Sequence, residues 1–549
     1  MLKMKKLIAL LVAVMMIMSL FAGCGETAAP TELQNNDVPE ATNAPAEEQV
    51  EDKEFSYPME PGHTVSVWMW LNGNVSANFA NISETEYAKE IVKRTGITVE
   101  WDASNAVDED FSIMVSSGEY PDLIEGSMNE YPGGASAALA DGVILPLNDI
   151  IDQYMPNLKA YLEANPDVEK AIKNDDGVIY GFPSVSTKEA CRALGTYMRG
   201  DILEALGKEL PTTIDEWYDV LTAMKGYEGV KHPYTTTWKN LVNTSALACA
   251  YGVPQLNTYK LMLDDNGKVQ MMSISDNYKD FLTLLNKWYD EELIDPDIFS
   301  IDGASVKTKL ATGEATVSDG YLASGLQANM TTGMGNNPAF TLEGVVIPEV
   351  VAGVASKVST ASYPASVGVV MTSCCRDVEA AARYMDYMYS EEGIILNNFG
   401  IEGVSYNIVD GHYVYTDEVL ANANGWTVSQ ALANYGRAGS GFVGVGHDDY
   451  YVQTLVLDEA KEASKLWTEM MEGSLKYRVP NVTLTADEAD TVAKIGTEIA
   501  TYVDEMTVKF ILGTESLDNW NEYVKEIEEM GAAELIAIYD AAVARYNAR

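Results

Sequence analysis

The chain has 549 residues, with 36 Lys and Arg against 82 Asp and Glu, and a formal net charge of −46. This acidity argues against nucleic acid as a partner, because phosphate recognition needs a basic surface, and against side-chain docking on an anionic membrane. A body of roughly 490 residues exceeds one ordinary hydrophobic core, which predicts at least two lobes.

The N-terminal segment is typical of an exported lipoprotein. Three lysines precede an uncharged apolar run, residues 7–21, which is too short for a stable transmembrane helix. The string LFAGC at 20–24 resembles the lipobox of bacterial lipoproteins, although Phe21 stands where Leu is usual. We therefore predict a signal peptide over 1–23, acylation of Cys24 and a location on the extracytoplasmic face of the cell membrane. The alternative is an ordinary secretory signal with an incidental cysteine.

The stretch after the lipobox predicts a disordered tether over residues 24–58. Residues 25–54 contain no aromatic residue and are rich in Ala, Pro, Thr, Asn and Glu. Such a composition buries too little apolar surface to offset the entropy lost on ordering. Its prolines and like charges keep the segment extended, so that a folded body can reach above the membrane.

The body begins with an alternation of strand and helix patterns. Strand-like composition occurs in HTVSVWMWL (63–71), ITVEWDAS (97–104) and DLIEGS (122–127). Apolar residues recur at helical spacing in ETEYAKEIVKRTG (84–96), which ends in a glycine, and a helix over 109–120 ends before a proline. The β-α-β-α-β order predicts a parallel sheet and an α/β fold.

Three later segments are predicted to be helical. They span residues 377–400, 458–473 and 486–513, and all carry the 3.6-residue periodicity of amphipathic helices. Thr485 and Glu488 have the spacing of a capping box, which predicts where the last of these helices begins.

Cysteine and histidine usage supports neither a zinc site nor a catalytic triad. Cys249 lies in an apolar run and is interpreted as a small buried hydrophobe, and a disulfide from Cys191 to one of the pair at 374–375 is the alternative. The acidic turns at 173–180 and 263–269 are interpreted as hairpin turns. Because neither has a complete twelve-residue calcium loop, we predict no metal or cofactor, with a structural calcium ion as the alternative.

Several long blocks carry a more specific signal. They include SGEYPDLIEGS, NKWYDEELIDPDIF, MDYMYSEEGIILNNFGIEGVSY and LTADEADTVAKIGTEIATYVDEMTVKFILG. These blocks resemble the extracellular solute-binding proteins, family 1, and within it the LipO-like lipoproteins that deliver oligosaccharides to ABC importers, over about residues 63–546. The resemblance implies an α/β, two-lobe periplasmic-binding-protein-like fold of type II, with an interlobe cleft and extra C-terminal helices. It places the first lobe at 59–182 and 313–365, and the second at 183–312 and 366–549.

Sugar recognition needs aromatic platforms together with polar groups that fix the hydroxyls. The chain has 9 Trp and 31 Tyr against only 11 Phe, an excess of aromatic residues with polar tips. From strand ends, loops and the resemblance we predict ligand contacts from Trp70, Asn72, Glu125, Ser127, Asn129, Tyr131, Tyr197, Arg199, Trp238, Asp319, Tyr363, Glu402 and Tyr406. The competing structural interpretations are capping by Glu125, an ion pair between Arg199 and Asp201, and core packing for Trp68.

The predicted function is capture of an oligosaccharide by a lipid-anchored monomer, which closes on its ligand and delivers it to the permease subunits of an ABC importer. We predict no enzymatic activity, because no nucleophile elbow, histidine base or metal motif supports catalysis. A glycan-binding adhesin or sensor is one alternative. A glycoside hydrolase is another, and it would need two carboxylates flanking the scissile bond.

Overall fold

Two separate β-sheets organise the computed structural model, which describes residues 55–126, 128–253, 258–438 and 443–549. The predictions for the signal peptide, for Cys24 and for most of the tether fall outside these residues. Residues 56–549 form one compact unit. Within the described residues, no helix combines the length and the apolar composition needed to cross a membrane.

The strands of the described residues are numbered in chain order. They are β1 (Thr64–Trp70), β2 (Thr98–Ser104), β3 (Leu123–Glu125), β4 (Phe182–Val185), β5 (Leu194–Arg199), β6 (Leu261–Leu263), β7 (Val269–Met271), β8 (Val317–Tyr321), β9 (Leu342–Gly344), β10 (Ala365–Met371), β11 (Tyr406–Val409), β12 (His412–Tyr415) and β13 (Gly444–Val445).

The α-helices are numbered in the same way. They are α1 (Gly73–Ser76), α2 (Glu86–Thr95), α3 (Val107–Ser117), α4 (Gly134–Ala140), α5 (Asn148–Tyr154), α6 (Pro156–Ala164), α7 (Pro166–Ile172), α8 (Gly200–Leu206), α9 (Ile214–Lys225), α10 (Trp238–Asn243), α11 (Ala246–Ala250), α12 (Asp276–Asp290), α13 (Gly303–Thr312), α14 (Ala328–Asn336), α15 (Val378–Tyr387), α16 (Glu391–Phe399), α17 (Asp417–Leu420), α18 (Val428–Tyr435), α19 (Asp448–Gln453), α20 (Asp458–Met470), α21 (Ala486–Ile511), α22 (Trp520–Glu529) and α23 (Ala532–Ala548).

The first sheet has six strands in the order β13-β4-β10-β3-β1-β2. β1 is parallel to both β2 and β3, which confirms the parallel sheet predicted from the β-α-β-α-β alternation. β10 is antiparallel to β3 on one side and to β4 on the other. Helices α5, α7 and α15 contribute to the apolar core against this sheet, and together they form the first lobe.

The second sheet is antiparallel, with the order β8-β5-β9, and it defines the second lobe. Helix α20 packs on β9, and the indole of Trp467 is fully buried there while donating to the Val345 carbonyl at 3.0 Å. Gly195 and Gly344 make room for this ring, since a Cβ at Gly195 would lie only 2.7 Å from it. Helices α12 and α21 share a second core with α22 and α23, the extra C-terminal helices that the resemblance implied.

The chain passes between the lobes later than the predicted boundaries. It leaves the first sheet after β4, returns at β10, and leaves again after β13. Residues 313–365, predicted for the first lobe, include β8 and β9, which pair with β5 in the second sheet. The region after 366 contains α15, which packs on the first sheet. The reason for the difference is that β8 and β9 hydrogen-bond to a strand more than a hundred residues earlier, a pairing with no local sequence signal.

Most predicted elements are present with small shifts. The helix predicted over 109–120 ends earlier, at Ser117, because Gly118 adopts a left-handed φ of 70° and caps it. The helix predicted over 377–400 is divided in two, because the Ser390 side chain accepts from the Gly393 amide and starts a new helix. The capping box of Thr485 and Glu488 is confirmed at the start of α21.

The four described cysteines are unpaired with one another. Cys249 is 2% exposed, which confirms its interpretation as a buried hydrophobe, and Cys191 is also a buried free thiol. Cys374 is exposed and Cys375 half-buried, so the alternative of a disulfide from Cys191 is not present in this structure.

An ion-pair cluster joins the two lobes away from the strands that cross between them. Arg545 and Arg549, at the end of α23, both donate to the carboxylate of Asp175 in the turn after α7, at 2.6 Å each. Arg549 also donates to the Lys173 carbonyl at 2.5 Å, and its side chain is 2% exposed. The C-terminal helix of the second lobe is thereby held against the first lobe.

Candidate functional site

The strand directions place one end of the first sheet toward the second lobe. β1, β2, β3 and β4 all run in the same direction, because β10 is antiparallel to both β3 and β4. The carboxyl end of β4 leads directly into the second lobe. The carboxyl ends of β1, β2 and β3 therefore face that lobe, and ligands of open α/β sheets bind at this edge.

One end of the second sheet likewise faces the first lobe. β5 starts just after the crossing from the first lobe, so its first residues face that lobe. β8 is antiparallel to β5, with Tyr321 opposite Leu194, and its carboxyl end therefore faces the first lobe as well. Tyr234 forms a parallel bridge to Val317 of β8, which directs the following residues, up to Trp238, to the same edge.

Two exposed aromatic side chains lie at these facing edges, one on each sheet. Trp70, the last residue of β1, is 53% exposed, and Tyr321, the last residue of β8, is 55% exposed. In the part of the chain that the structure describes, every other Phe, Tyr or Trp side chain is buried or half-buried. Trp68, two residues earlier on β1, is 6% exposed, so the core packing considered for it is confirmed.

The segment that follows Tyr321 is a short π-helix, which is held in place by buried side chains and hydrogen bonds. Residues Leu322–Gln327 form a π-helix, a conformation that is rare and often found at functional sites. Leu322 and Leu326 are fully buried, and the Gln327 amide donates to the Thr454 carbonyl at 2.9 Å while its oxygen accepts from the Val456 amide at 2.6 Å. The exposed ring thus projects from a well-anchored turn.

Around Trp70, the predicted first-lobe residues have varied environments. Asn72 is half-buried and caps α1 by accepting from the Asn74 amide at 2.8 Å. Tyr131 is half-buried, and its hydroxyl donates to Asp141 at 2.8 Å. Asn129 lies in a short 3₁₀ helix, Met128–Glu130, and Ser127 lies outside the described residues.

Glu125, at the end of β3, forms a largely buried ion pair with Arg437. Both carboxylate oxygens accept from the same guanidinium nitrogen, at 2.6 and 2.7 Å, and the arginine side chain is 2% exposed. Apolar side chains surround the pair, among them Val67, Leu123 and Met388. Burial raises the pKa of Glu125, while Arg437 acts in the opposite direction. Glu125 was predicted to contact the ligand, but in this structure its carboxylate is already bound by Arg437.

Asp319 is a buried carboxylate in the second lobe, where its partners are neutral. The hydroxyl of Thr196 donates to one of its oxygens, and the Tyr234 hydroxyl lies 3.0 and 3.1 Å from the two oxygens. Burial raises the pKa of Asp319 to about 6, although these hydrogen bonds lower it. The cluster fixes the segment before Trp238 to β8, and so supports the edge that carries Tyr321.

Three predicted site residues are packing residues in the structure. Tyr197 is 1% exposed and accepts from the Asn329 amide at 2.8 Å. Arg199 is 5% exposed and forms two hydrogen bonds to Asp201 while its guanidinium lies 3.9 Å from the ring centroid of Phe340, which confirms the ion-pair alternative. Their strand is central in the three-stranded sheet, where side chains on both faces are covered.

Tyr406 is likewise 5% exposed, in an aromatic cluster around Phe399. Three further predicted residues remain accessible to different degrees. Trp238 is half-buried between Phe299 and the ammonium of Lys239, Tyr363 is half-buried and donates to the Arg478 carbonyl at 2.9 Å, and Glu402 is exposed.

Both acidic turns are hairpin turns, as interpreted from the sequence. Asp264 accepts from the Asn266 and Lys268 amides between β6 and β7. Asn174 does the same for the Asp176 and Val178 amides, inside a bridge from Lys173 to Ile179. Across the described residues, there is no group of three or more His, Cys, Asp or Glu side chains that could hold a metal ion.

Sequence reasoning missed two residues of this region. Tyr321 ends the segment ATVSDGY, in which Asp319 alone is predicted to contact the ligand, and a tyrosine at a strand end was an available signal. Arg437 lies 312 residues from its partner Glu125, and no pattern near either residue could have predicted the pair.

Comparison with known proteins agrees with this architecture. A family model described as "Bacterial extracellular solute-binding protein" matches residues 81–395. The chain is 26% identical over 492 residues to the fructooligosaccharide ABC transporter substrate-binding protein FusA of Streptococcus pneumoniae, covering 84% of this chain and 87% of FusA. It is 25% identical over 468 residues to the lipoprotein LipO of Bacillus subtilis, covering 82% and 86% respectively.

Solved structures share the fold at lower identity. The alginate-binding protein AlgQ2 superposes with a TM-score of 0.71 at 22% identity, over 89% of this chain and 100% of AlgQ2. FusA in complex with kestose also gives a TM-score of 0.71 at 22% identity, over 88% and 99%. The architecture is therefore the two-lobe fold of solute-binding proteins.

Proposed function

The chain belongs to the bacterial extracellular solute-binding proteins, and from this we propose that it captures an oligosaccharide between its lobes and delivers it to the membrane subunits of an ABC importer. The observation that carries this proposal is the pair of exposed rings, Trp70 and Tyr321, at the facing edges of the two sheets. FusA, which is similar to this chain over most of the length of both proteins, is named as a fructooligosaccharide ABC transporter substrate-binding protein, and this supports an oligosaccharide as the ligand.

The two rings suit a sugar chain for a physical reason. Sugar rings have apolar faces of C–H groups, and an aromatic face covers them without requiring one hydroxyl pattern. One platform on each lobe means that ligand contacts both lobes at once, so a closed arrangement binds it better than an open one. Polar side chains beside the rings, such as Asn72, then select among the hydroxyls.

We propose binding without cleavage, by a monomer. Retaining or inverting hydrolysis needs two carboxyl groups placed on either side of the scissile bond. The two carboxylates at the strand ends are already engaged, Glu125 by Arg437 and Asp319 by Thr196 and Tyr234. Incubation with the bound glycan should leave its length unchanged, and shorter products would favour the hydrolase.

Removing either ring tests the site. A panel of fructo-, manno-, xylo-, gluco- and galacto-oligosaccharides is first screened by thermal shift, and the best ligand is then titrated by calorimetry. Trp70→Ala and Tyr321→Ala should each weaken its binding by about 1–3 kcal/mol, the free energy gained when an aromatic ring is shielded from water by a ligand. Both side chains are exposed, so the melting temperature of the free protein should change little.

Ile113→Ala is the matched control, because Ile113 is a 65% exposed hydrophobic residue in the second half of α3 and is not one of the predicted ligand contacts. It should leave affinity unchanged. Equal affinity in wild type and both ring variants would contradict the proposed site.

We also propose that Cys24 is acylated and holds the protein on the outer face of the cell membrane. The lipobox-like sequence supports this, as does the similarity to a lipoprotein, LipO. A diacyl group supplies the two chains that stable anchoring takes. Cys24→Ser should move the protein from the membrane fraction to the medium, whereas retention in membranes would contradict the lipid anchor.

A further inference from the structure

We propose that Gln327 is the positioning residue of Tyr321: its side chain fixes the turn that carries this exposed ring to a segment that crosses between the lobes. This inference rests on the proposed function and adds to it a buried residue that acts on the ligand through Tyr321. It comes from the hydrogen bonds that the Gln327 side chain makes beyond its own helix.

The chain crosses between the lobes for the third time at residues 446–457, which we call the third crossing. This segment follows β13 of the first sheet, contains α19, and leads into α20, which packs on β9 of the second sheet. Its residues Tyr451 and Leu455 share an apolar core with Leu322 and Leu326 of the π-helix. The third crossing therefore joins the two lobes, and its second half belongs to the same core as the turn after Tyr321.

Gln327, the last residue of the π-helix, is bound to the third crossing by hydrogen bonds. Its side-chain nitrogen donates to the Thr454 carbonyl at 2.9 Å, and its side-chain oxygen accepts from the backbone amides of Val456 and Leu457 at 2.6 and 3.1 Å. These backbone groups lie between the end of α19 and the start of α20, where the helical ladder stops and other partners are needed. Gln327 is 7% exposed, so the bonds are shielded from water.

A glutamine suits this position because its amide group is both a donor and an acceptor. A leucine of similar size would leave a carbonyl and two amides without the partner that they now have. A glutamate has the same shape and could accept from the two amides. Its ionised carboxylate could not donate to Thr454, however, and would place a negative charge against that carbonyl.

The backbone that carries Tyr321 is held at both ends. On one side, Tyr321 is paired with Leu194 of β5 in the second sheet. On the other side, the π-helix folds back so closely that a Cβ on Gly325 would lie 3.2 Å from the Cα of Gly320. Gln327 then joins the far end of this turn to the third crossing. The exposed ring therefore projects from a backbone with little freedom to move.

This support has a consequence for ligand binding. A ring that is already held in place loses little conformational freedom when a sugar covers it, so more of the contact appears as affinity. The turn also keeps a fixed position relative to the segment that joins the lobes. Without the Gln327 side chain, Tyr321 would still be exposed, but its turn could move away from the ligand and the ring would contribute less to binding.

A double-mutant cycle tests whether Gln327 acts through Tyr321. The proteins are wild type, Gln327→Leu, Tyr321→Ala and the combination of the two. The probe is the best binder among the fructo-, manno-, xylo-, gluco- and galacto-oligosaccharides, and it is titrated by calorimetry. Thermal melting establishes that each protein is folded at the temperature of the titration. If Gln327→Leu does not fold, the same cycle is run with Gln327→Glu, which keeps the shape of the side chain.

We expect the change at Gln327 to weaken binding at least about fivefold when Tyr321 is present, but less than about twofold in the Tyr321→Ala background. The reason is that a positioning residue has no effect once the ring that it positions is gone. An equal loss in both backgrounds, or unchanged affinity in both, would overturn this inference and leave the proposed function standing. Wild-type affinity in Tyr321→Ala would instead contradict the proposed site, and this inference with it.

Asn286→Leu is the matched control. Asn286 is half-buried on α12, and its side-chain amide donates to the Ile511 carbonyl at the end of α21, at 3.2 Å. The change removes a bond of the same kind within the second lobe, but neither group belongs to the π-helix or to the third crossing. It should lower the melting temperature and leave the affinity for the same oligosaccharide unchanged. A loss of affinity as large as that of Gln327→Leu would show that general destabilisation is the cause and would overturn the positioning role.

Discussion

Two carboxylates removed from solvent, one at each strand edge, show how differently a protein can accommodate a charge near a ligand site. Glu125 in the first lobe faces the guanidinium of Arg437, a full countercharge at 2.6 Å. Asp319 in the second lobe is surrounded by hydroxyls, and burial raises its pKa to about 6. Arg437 offsets part of the rise that burial gives the pKa of Glu125, whereas among the described residues Asp319 has no countercharge beside it and is ionised only when the pH exceeds its raised pKa.

The comparison teaches that burial alone does not make a carboxylate a ligand contact. Both residues were predicted to bind the ligand, and both are held by other parts of the protein. Their importance is structural: Glu125 ties the end of β3 to the segment after α18, and Asp319 ties β8 to the segment before Trp238. Each carboxylate positions the edge from which an exposed ring projects.

The largest effect is expected from breaking the ion pair. Arg437→Met leaves Glu125 in an apolar setting without a countercharge, so the free energy of unfolding should fall by about 3–5 kcal/mol. Urea unfolding at neutral pH measures this loss. The double variant Glu125→Gln, Arg437→Met removes both charges and should recover most of it. A single variant that is as stable as wild type would contradict the importance of the pair.

A smaller effect, visible through pH, is expected at Asp319. Its pKa is raised from 3.8 to about 6, so the folded protein holds this proton more tightly than the unfolded chain does. Stability from this group is therefore fully present below about pH 4 and is lost as the pH rises through about 6, by about 3 kcal/mol in total.

Asp319→Asn should remove that slope. The free energy of unfolding at about pH 4 minus that at about pH 7 should be lower in the variant than in wild type by about 2–2.5 kcal/mol. Asp149→Asn, at an exposed position of α5, is the control and should keep the wild-type slope. Parallel pH profiles for wild type and Asp319→Asn would show that the carboxyl is not perturbed.

The smallest effect on stability is expected at the buried, uncharged hydrogen bond between Asn329 and Tyr197. Tyr197→Phe removes one hydrogen bond to Asn329 and should cost about 1 kcal/mol of stability. Because Tyr197 is buried in the second lobe, oligosaccharide affinity should stay at the wild-type value. If Tyr197→Phe keeps the stability of wild type but binds the oligosaccharide more weakly, Tyr197 contacts the ligand and the packing role is wrong.

The sequence was sufficient where the signals are local. Strand composition, glycine caps and the capping box of Thr485 predicted β1 to β3, α2 and the start of α21. The position of Trp70 at a strand end made it a predicted ligand contact, and its side chain is 53% exposed. The return of the chain to the first lobe could not be predicted in this way. It depends on which distant strand β8 and β10 pair with, and a short strand carries no register information beyond its own residues.

The residues of the candidate site show the same difference between local signals and distant contacts. Single residues at strand ends could be chosen from the pattern, but their partners could not. Tyr197 and Arg199 have the composition of a sugar site, and only the three-dimensional structure places Asn329 and Phe340 against them. Conversely, Tyr321 became conspicuous only once its exposure was known.

The exposure of Trp70 also gives the molecule a built-in optical reporter. Trp68, Trp217, Trp288, Trp467 and Trp520 are buried, so their indoles already fluoresce from an apolar environment. Trp70 is the exposed indole of the described chain and emits from water, at longer wavelength. A sugar face that covers it would shift the emission to the blue, and the shift would be absent in Trp70→Ala. Ligand capture could then be followed in real time on the unlabelled protein.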